Sequence, residues 1–206
     1  MTGRPGGLVF VLSGPSGVGK DSVLHELRAL EPSIHYYITA TTRSPRPGER
    51  DGIEYFFLPE DEFARLKATG GLLESAEAHG HHYGSPCRQV VTALEAGRDV
   101  LACVDVQGAM AIRSRIPSAI LIFLAPESEE QLASRLRGRG TEAAADFELR
   151  LANAQGEIAQ SGAFDYLVYN RDDRLEDAVG EVRTVITAER LRTAPRYAVL
   201  EGGCGG

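Results

Sequence analysis

Gly14, Pro15, Ser16, Gly17, Val18, Gly19 and Lys20 form one run, directly behind an apolar stretch and directly ahead of an amphipathic one. These residue types in this order suit one kind of chemistry. The glycines let the backbone curl so that successive N–H groups point inward. The N-terminus of the following helix adds partial positive charge, and Lys20 adds a full one. Such a loop grips the phosphates of a nucleoside triphosphate. The competing reading, a glycine-rich turn with an exposed lysine, does not account for a strand before the loop and a helix after it. The strict pattern places Ser or Thr after the lysine to hold Mg²⁺, but here Asp21 takes that position and Ser22 follows. A carboxylate aimed straight at a triphosphate is repelled unless a cation stands between them.

Further along, Arg43 and Arg46 lie three apart on a loop stiffened by Pro45 and Pro47. Their planar forks suit phosphate oxygens, although two loop arginines taken alone would read as solvated surface. Tyr55 and Tyr83 can each offer a hydroxyl, and the alternative for both is packing with a satisfied OH. Glu74 sits in the β-like run Leu72, Leu73, Glu74, Ser75, Ala76. A carboxylate in apolar surroundings is costly unless paired. Asp105 ends a hydrophobic run, where strand ends of a parallel sheet face the ligand crevice. It is equally placed to cap a following helix. Arg135 and Arg139, four apart, share a helical face, and Arg150 falls on the next helical pattern. A solvated face is the alternative for these three, and it is the reading kept for Arg137. His79, His81 and His82 lack metal-ligand spacing and read as local surface beside Tyr83.

These residues need a scaffold. Apolar runs at 8–12, 99–105, 119–124 and 166–169 read as strands. Helical patterns follow at 19–30, near 109–115, after Ser128 as a cap, and through about residue 191. Alternation of this kind predicts an α/β fold, a three-layer parallel sheet with helices on both faces. Two stretches interrupt it. Residues 39–86 carry the turn-rich run 44–48, short β-rich segments at 55–58, 72–76 and 82–85, and a short helix near 61–68, which together suggest a small α+β insertion. Residues 126–160 are arginine-studded and helical with a break at 138–140, which suggests a lid. The core is then 1–38, 87–125 and 161–206, and the glycine-rich end at 202–206 reads as a disordered tail.

The composition sets limits on function. The chain has 206 residues, 43% hydrophobic and 25% charged, as expected of one folded globular domain rather than a disordered one. A net charge of -7 argues against non-specific nucleic-acid binding. The apolar run at the N-terminus is too short for a signal-peptide core, and no run is long enough to span a bilayer. Cys87, Cys103 and Cys204 are odd in number and have no metal-ligand spacing. The expectation is a cytoplasmic protein in a reducing compartment, without disulfides.

Several motifs occur together in order: Thr41, Thr42, Arg43, Ser44, Pro45, Arg46, Pro47, Gly48, Glu49 with Asp51, Gly52 and Tyr55; then Glu74; Tyr83, Gly84, Ser85; Val104, Asp105, Val106, Gln107, Gly108; and Arg135, Leu136 with Gly138, Arg139, Gly140, Thr141. In this the chain closely resembles the guanylate kinase family over residues 8–190. The resemblance implies γ-phosphoryl transfer from ATP to GMP, with Mg²⁺ as the metal. It implies that Arg43, Arg46, Tyr55 and Tyr83 bind the acceptor phosphate, and that Glu74, Asp105, Ser85 and Thr39 read guanine, Thr39 standing where the family usually has serine. It places Arg135, Arg139 and Arg150 on the ATP phosphates and Asn170 near the adenine. Lys20, Arg43, Arg135 and Arg150 are the implied catalytic cations.

Two positions depart from the family pattern. One is Asp21, although adenylate-kinase-type enzymes are similar in placing a hydroxyl two residues after the lysine, so Ser22 takes the metal-ligand role. The other is Cys103, where the family usually has an aspartate, so that its work falls to Asp105 or Asp21. The Lys20, Asp21, Ser22 sequence also resembles ribosyl bisphosphate kinases, which have no need of a guanine-reading set. A non-catalytic scaffold module of the same fold has no need of an intact phosphate loop.

Overall fold

The computed structural model describes residues 6–78, 80–137 and 144–205. Its centre is a five-stranded parallel sheet of β1 (Val9–Ser13), β2 (His35–Tyr36), β7 (Val100–Cys103), β8 (Ile120–Pro126) and β9 (Tyr166–Asn170). The strand order is β2-β7-β1-β8-β9: from β1 the chain crosses to the edge at β2, returns inward to β7, and then passes to β8 and β9 on the other side of β1. The loop leaving β1 therefore opens at the point where the winding reverses, which is where parallel sheets bind ligands.

β1 and β8 are buried along their whole length, which explains why they read as unbroken apolar runs rather than alternating ones. Phe10 and Leu12 pack with Val23 and Leu27 of α1 (Lys20–Leu30) and with Val182 and Ile186 of α7 (Leu175–Arg190). Val9 and Val11 pack on the opposite face with Val90 and Ala93 of α3 (Cys87–Glu95) and Ala109 and Ile112 of α4 (Val106–Arg115).

Residues 40–86 build a second sheet of β3 (Ala40–Thr41), β4 (Phe56–Phe57), β5 (Leu72–Ala78) and β6 (His81–Pro86), in the order β4-β3-β6-β5. It is mixed, with β3 parallel to β4 and antiparallel to β6. Its own small core joins Ala40 and Leu72 to Phe63 of α2 (Glu60–Ala68). Beyond β8, α5 (Glu129–Arg137) and α6 (Ala144–Ile158) pack through Leu132, Leu136 and Ala154. Ser128 accepts a hydrogen bond from the Gln131 N–H at 3.2 Å, as a cap should.

Two expectations are overturned. Cys87 and Cys204 are joined by a disulfide, although 117 residues separate them, and Cys103 alone is free. The C-terminal stretch through residue 205 is packed rather than loose: Arg115 donates to the carbonyls of Glu201 at 3.3 Å and Gly203 at 2.6 Å. Gly205 lies against other backbone, and a Cβ on it would fall 1.5 Å from the Thr69 carbonyl oxygen. No helix among the described residues is long and apolar enough to cross a membrane.

Candidate active site

The loop between β1 and α1 curls back as its glycines permit. Gly17 and Gly19 have φ of 83° and 97°, in the left-handed region. Gly14 must also lack a side chain, since a Cβ there would lie 2.1 Å from the Leu124 carbonyl oxygen of β8. The helix begins at Lys20, and the loop with the first turn borders a cavity of about 360 Å³. Its lining is Gly14, Ser16, Gly17, Gly19, Lys20, Asp21, Asp105 and Glu157. The Lys20 ammonium donates to the carbonyls of Gly14 at 2.6 Å and Pro15 at 3.1 Å.

The loop is braced from behind. Asn170, buried at the end of β9, donates its amide to the Val18 carbonyl at 2.7 Å. Arg135 donates to the same carbonyl at 2.9 Å, to the Asn170 carbonyl at 3.1 Å, and to Asp172 at 2.7 and 3.0 Å. Both side chains therefore fasten the loop from its outer side. Arg150 lies half-buried on α6, and Arg139 falls outside the described residues. Pro15 and Val18 are buried and complete the loop.

The second sheet supplies a polar cluster. Arg43, buried at 8% exposure, meets Glu49 through two hydrogen bonds of 2.6 and 2.7 Å. The rings of Tyr55 and Phe57 lie over its guanidinium at 5.0 and 5.6 Å. Tyr55 packs edge-on to Tyr83 at 6.2 Å. Glu49 also accepts from the Arg46 N–H at 2.7 Å, while the Arg46 side chain is exposed. Arg43 is the main cause that holds the Glu49 carboxyl down to about 2, and Glu49 in turn raises the guanidinium above its usual value.

On β5 and β6, Ser85 donates its hydroxyl to the Glu74 carboxylate. Ser85 is fully buried and Glu74 half-buried. Burial pushes the Glu74 carboxyl up, the Ser85 hydrogen bond opposes this, and the nearby Asp105 charge adds to it. Burial is the main cause that raises the Tyr55 hydroxyl, and the Arg43 charge opposes it. Thr39 is half-buried just before β3 and takes the Phe56 N–H on its carbonyl at 2.9 Å.

Asp105 does cap α4, accepting the Gly108 N–H at 2.7 Å, and it also lines the cavity. Cys103 is half-buried on β7, and burial pushes its thiol up to about 11, so it offers no anionic donor. The hard oxygen donors that the cavity itself presents are Asp21, Asp105 and Glu157, whereas Ser22 is exposed on α1 and outside the lining. A carboxylate pair beside a phosphate loop fits a Mg²⁺ that takes its remaining ligands from phosphates and water.

Two contributors escaped the sequence reading. The signal for Glu49 was its place in the same proline-rich loop as Arg43. Glu157 gave no local signal, because it reaches the cavity only through the packing of α6. Burial pushes its carboxyl up, while Lys20 and the Ser16 N–H act against that.

Comparisons with known proteins agree with this geometry. A model of the guanylate kinase family matches residues 7–189. A guanylate kinase of Symbiobacterium thermophilum is 41% identical over 200 residues, covering 97% of this chain and 94% of its own. One of Bacillus subtilis is 44% identical over 195 residues, covering 93% and 95%. The crystal structure of a guanylate kinase from Anaplasma phagocytophilum superimposes with a TM-score of 0.71 at 29% identity, over 95% of this chain and 92% of that one. With the phosphate loop, the acceptor cluster and the Glu74–Ser85 pair arranged on one scaffold, the chain belongs to the guanylate kinase family.

Proposed function

We propose that the chain transfers the γ-phosphoryl group of ATP to GMP with the residues described above, giving ADP and GDP. The chain is an ATP:GMP phosphotransferase of the nucleoside monophosphate kinase class. The observation that supports this reading is the glycine-rich loop with Lys20, Asp21 and Asp105 around one cavity, on a chain whose second sheet holds Arg43 under Tyr55 and pairs Ser85 with Glu74.

The acceptor phosphate oxygen is already anionic at neutral pH, so no general base is required. Catalysis then rests on positioning and charge neutralisation. The loop amides and Lys20 bind the ATP phosphates. Arg135 and Asn170 keep the loop in shape from behind, and Arg139 and Arg150 meet the ATP phosphates from the lid. Arg43 and Arg46, with the hydroxyls of Tyr55 and Tyr83, hold the GMP phosphate. Glu74 accepts from the guanine N1 and N2 donors with Asp105, while Ser85 and Thr39 answer O6. Asp21 and Asp105 would hold Mg²⁺, with the Ser22 hydroxyl as a third donor by likeness to adenylate-kinase-type enzymes, and the metal would supply neutralisation of phosphate charge. Residues 39–86 act as the GMP-binding unit and 126–160 as the lid over the core, and the two exclude water from the transfer. The proposed setting is the cytoplasm, where both nucleotides are available.

The test is ADP release with ATP and Mg²⁺ against GMP, AMP, UMP and a ribosyl bisphosphate. Turnover confined to GMP is expected. Equal rates with all four, or none with GMP, would sink the assignment.

A further inference from the structure

The C-terminal segment runs across the joint between the two sheets. It starts on the core side, where the Ala198 N–H donates to the Gly7 carbonyl at 3.1 Å and Ser118 donates to the Tyr197 carbonyl at 3.1 Å. It then passes over the end of α4, where the Glu201 N–H donates to the Arg115 carbonyl at 2.8 Å. Arg115 holds both sides: its guanidinium donates to Glu201 and Gly203 of the segment and, at 3.1 Å, to the Leu72 carbonyl of β5. The path ends at the disulfide to Cys87, with Gly205 against Thr69 in the turn between α2 and β5.

The two anchor points bracket the base-reading strands. Leu72 lies two residues before Glu74, and Cys87 two residues after Ser85. Cys87 is fully buried at the start of α3, and its N–H donates to the Gly71 carbonyl at 2.9 Å. Cys204 is only half-buried, so a small thiol can reach its sulfur. Cys103, the remaining thiol, lies on β7 and has no disulfide partner.

We propose that Cys87 and Cys204 form a thiol–disulfide site whose closed form straps the C-terminal segment over the joint and restrains the acceptor sheet against the core. Opening proceeds by exchange with a low-molecular-weight thiol. Its thiolate attacks the Cys204 sulfur, and the Cys87 thiolate leaves. A second small thiol then resolves the mixed disulfide, so two small thiols become one small disulfide and the protein gains two thiols. Closure is the reverse, with a small disulfide as oxidant. Cys87 opens α3 directly after β6, so the crosslink fixes the end of the strand that carries Ser85, and any movement of the second sheet against the core that accompanies transfer is opposed there. The kinetic part of this inference rests on the phosphotransfer reading; the crosslink and its mechanical effect do not.

The test uses the full chain incubated with oxidised glutathione or with dithiothreitol. Under denaturing conditions the oxidised form should show one reactive thiol and a linked peptide pair containing Cys87 and Cys204; the reduced form should show three thiols. Reduction should speed amide hydrogen exchange across Leu72–Pro86. It should also raise kcat with GMP by about threefold to tenfold while KM for ATP stays within about twofold. Cys204→Ser should match the reduced form in both media. Three thiols after oxidation, or exchange across β5 and β6 that ignores redox state, would overturn the proposal. Absence of GMP turnover in both states, with exchange responding as expected, would count against the phosphotransfer reading and not against the strap.

Discussion

Arg43 and Glu49 meet fork to fork, with two hydrogen bonds of 2.6 and 2.7 Å beneath the rings of Tyr55 and Phe57. The same carboxylate takes the Arg46 N–H, so one acid sets the shape of the loop that carries Arg43 and Arg46, the two arginines proposed for the GMP phosphate. Glu49→Gln removes the charge-assisted pair and leaves Arg43 loosely held. We expect KM for GMP to rise on the order of tenfold, with KM for ATP little changed. An unchanged KM for GMP in steady-state assays would contradict this role.

The depressed Glu49 carboxyl makes a prediction about pH. Its folded value, about 2, lies below its ordinary 4.5. Stability from the pair is therefore fully present above the ordinary value and disappears as pH falls through the folded one. A carboxyl titration followed by NMR should place the Glu49 midpoint near the lower value. A midpoint at the ordinary carboxylate position would show that the pair does not persist in solution.

Glu74 behaves in the opposite sense. Burial raises its carboxyl, so the folded state favours the protonated form and loses stability as pH rises from 4.5 toward the raised value. Glu74→Gln should thus keep or raise the thermal midpoint at neutral pH. It should also lose preference for GMP over AMP, because a site built on hydrogen bonds discriminates strongly only while its acceptors are in place. Retained selectivity would mean that guanine is read elsewhere.

Lys20→Ala should leave the circular dichroism spectrum unchanged and lower kcat by roughly a hundredfold to a thousandfold, the scale seen when a single charge-stabilising donor is lost. Asn170→Ala is a finer probe of the same loop. It removes one of the two donors on the Val18 carbonyl, Arg135 being the other, a loss of about 0.5–1.5 kcal/mol. KM for ATP should rise while KM for GMP holds. If both Michaelis constants shift together, the damage is to the fold and not to the loop.

The parts of the fold legible in the sequence were those with local signatures. β1 and β8 are buried on both faces and read as continuous apolar runs. The loop between β1 and α1 carries its own glycine code, and Ser128 announces a cap. What was missed lacks such signatures. β2 and β3 are two residues each, too short to show a period, and exist because a longer neighbour pairs with them. α3 begins directly after β6 with no polar cap to mark it. The disulfide joins residues 117 apart, a distance at which spacing carries no information. Asn170 illustrates partial legibility: sequence resemblance marks it as important and places it near adenine, whereas the structure commits its amide to the Val18 carbonyl.

The lining of the phosphate cavity has a further consequence. Among the described residues of that lining, Lys20 is one cation beside three carboxyl groups, Asp21, Asp105 and Glu157. Asp21 and Asp105 set repulsion beside the attraction of Lys20 and the loop amides, and Coulomb forces extend beyond contact in a water-poor cleft. A bare nucleotide polyanion therefore meets repulsion at the entrance. A nucleotide already complexed with a divalent cation carries less charge and offers that cation to the acids. An acidic lining of this kind favours a triphosphate that arrives with its cation over one that arrives bare.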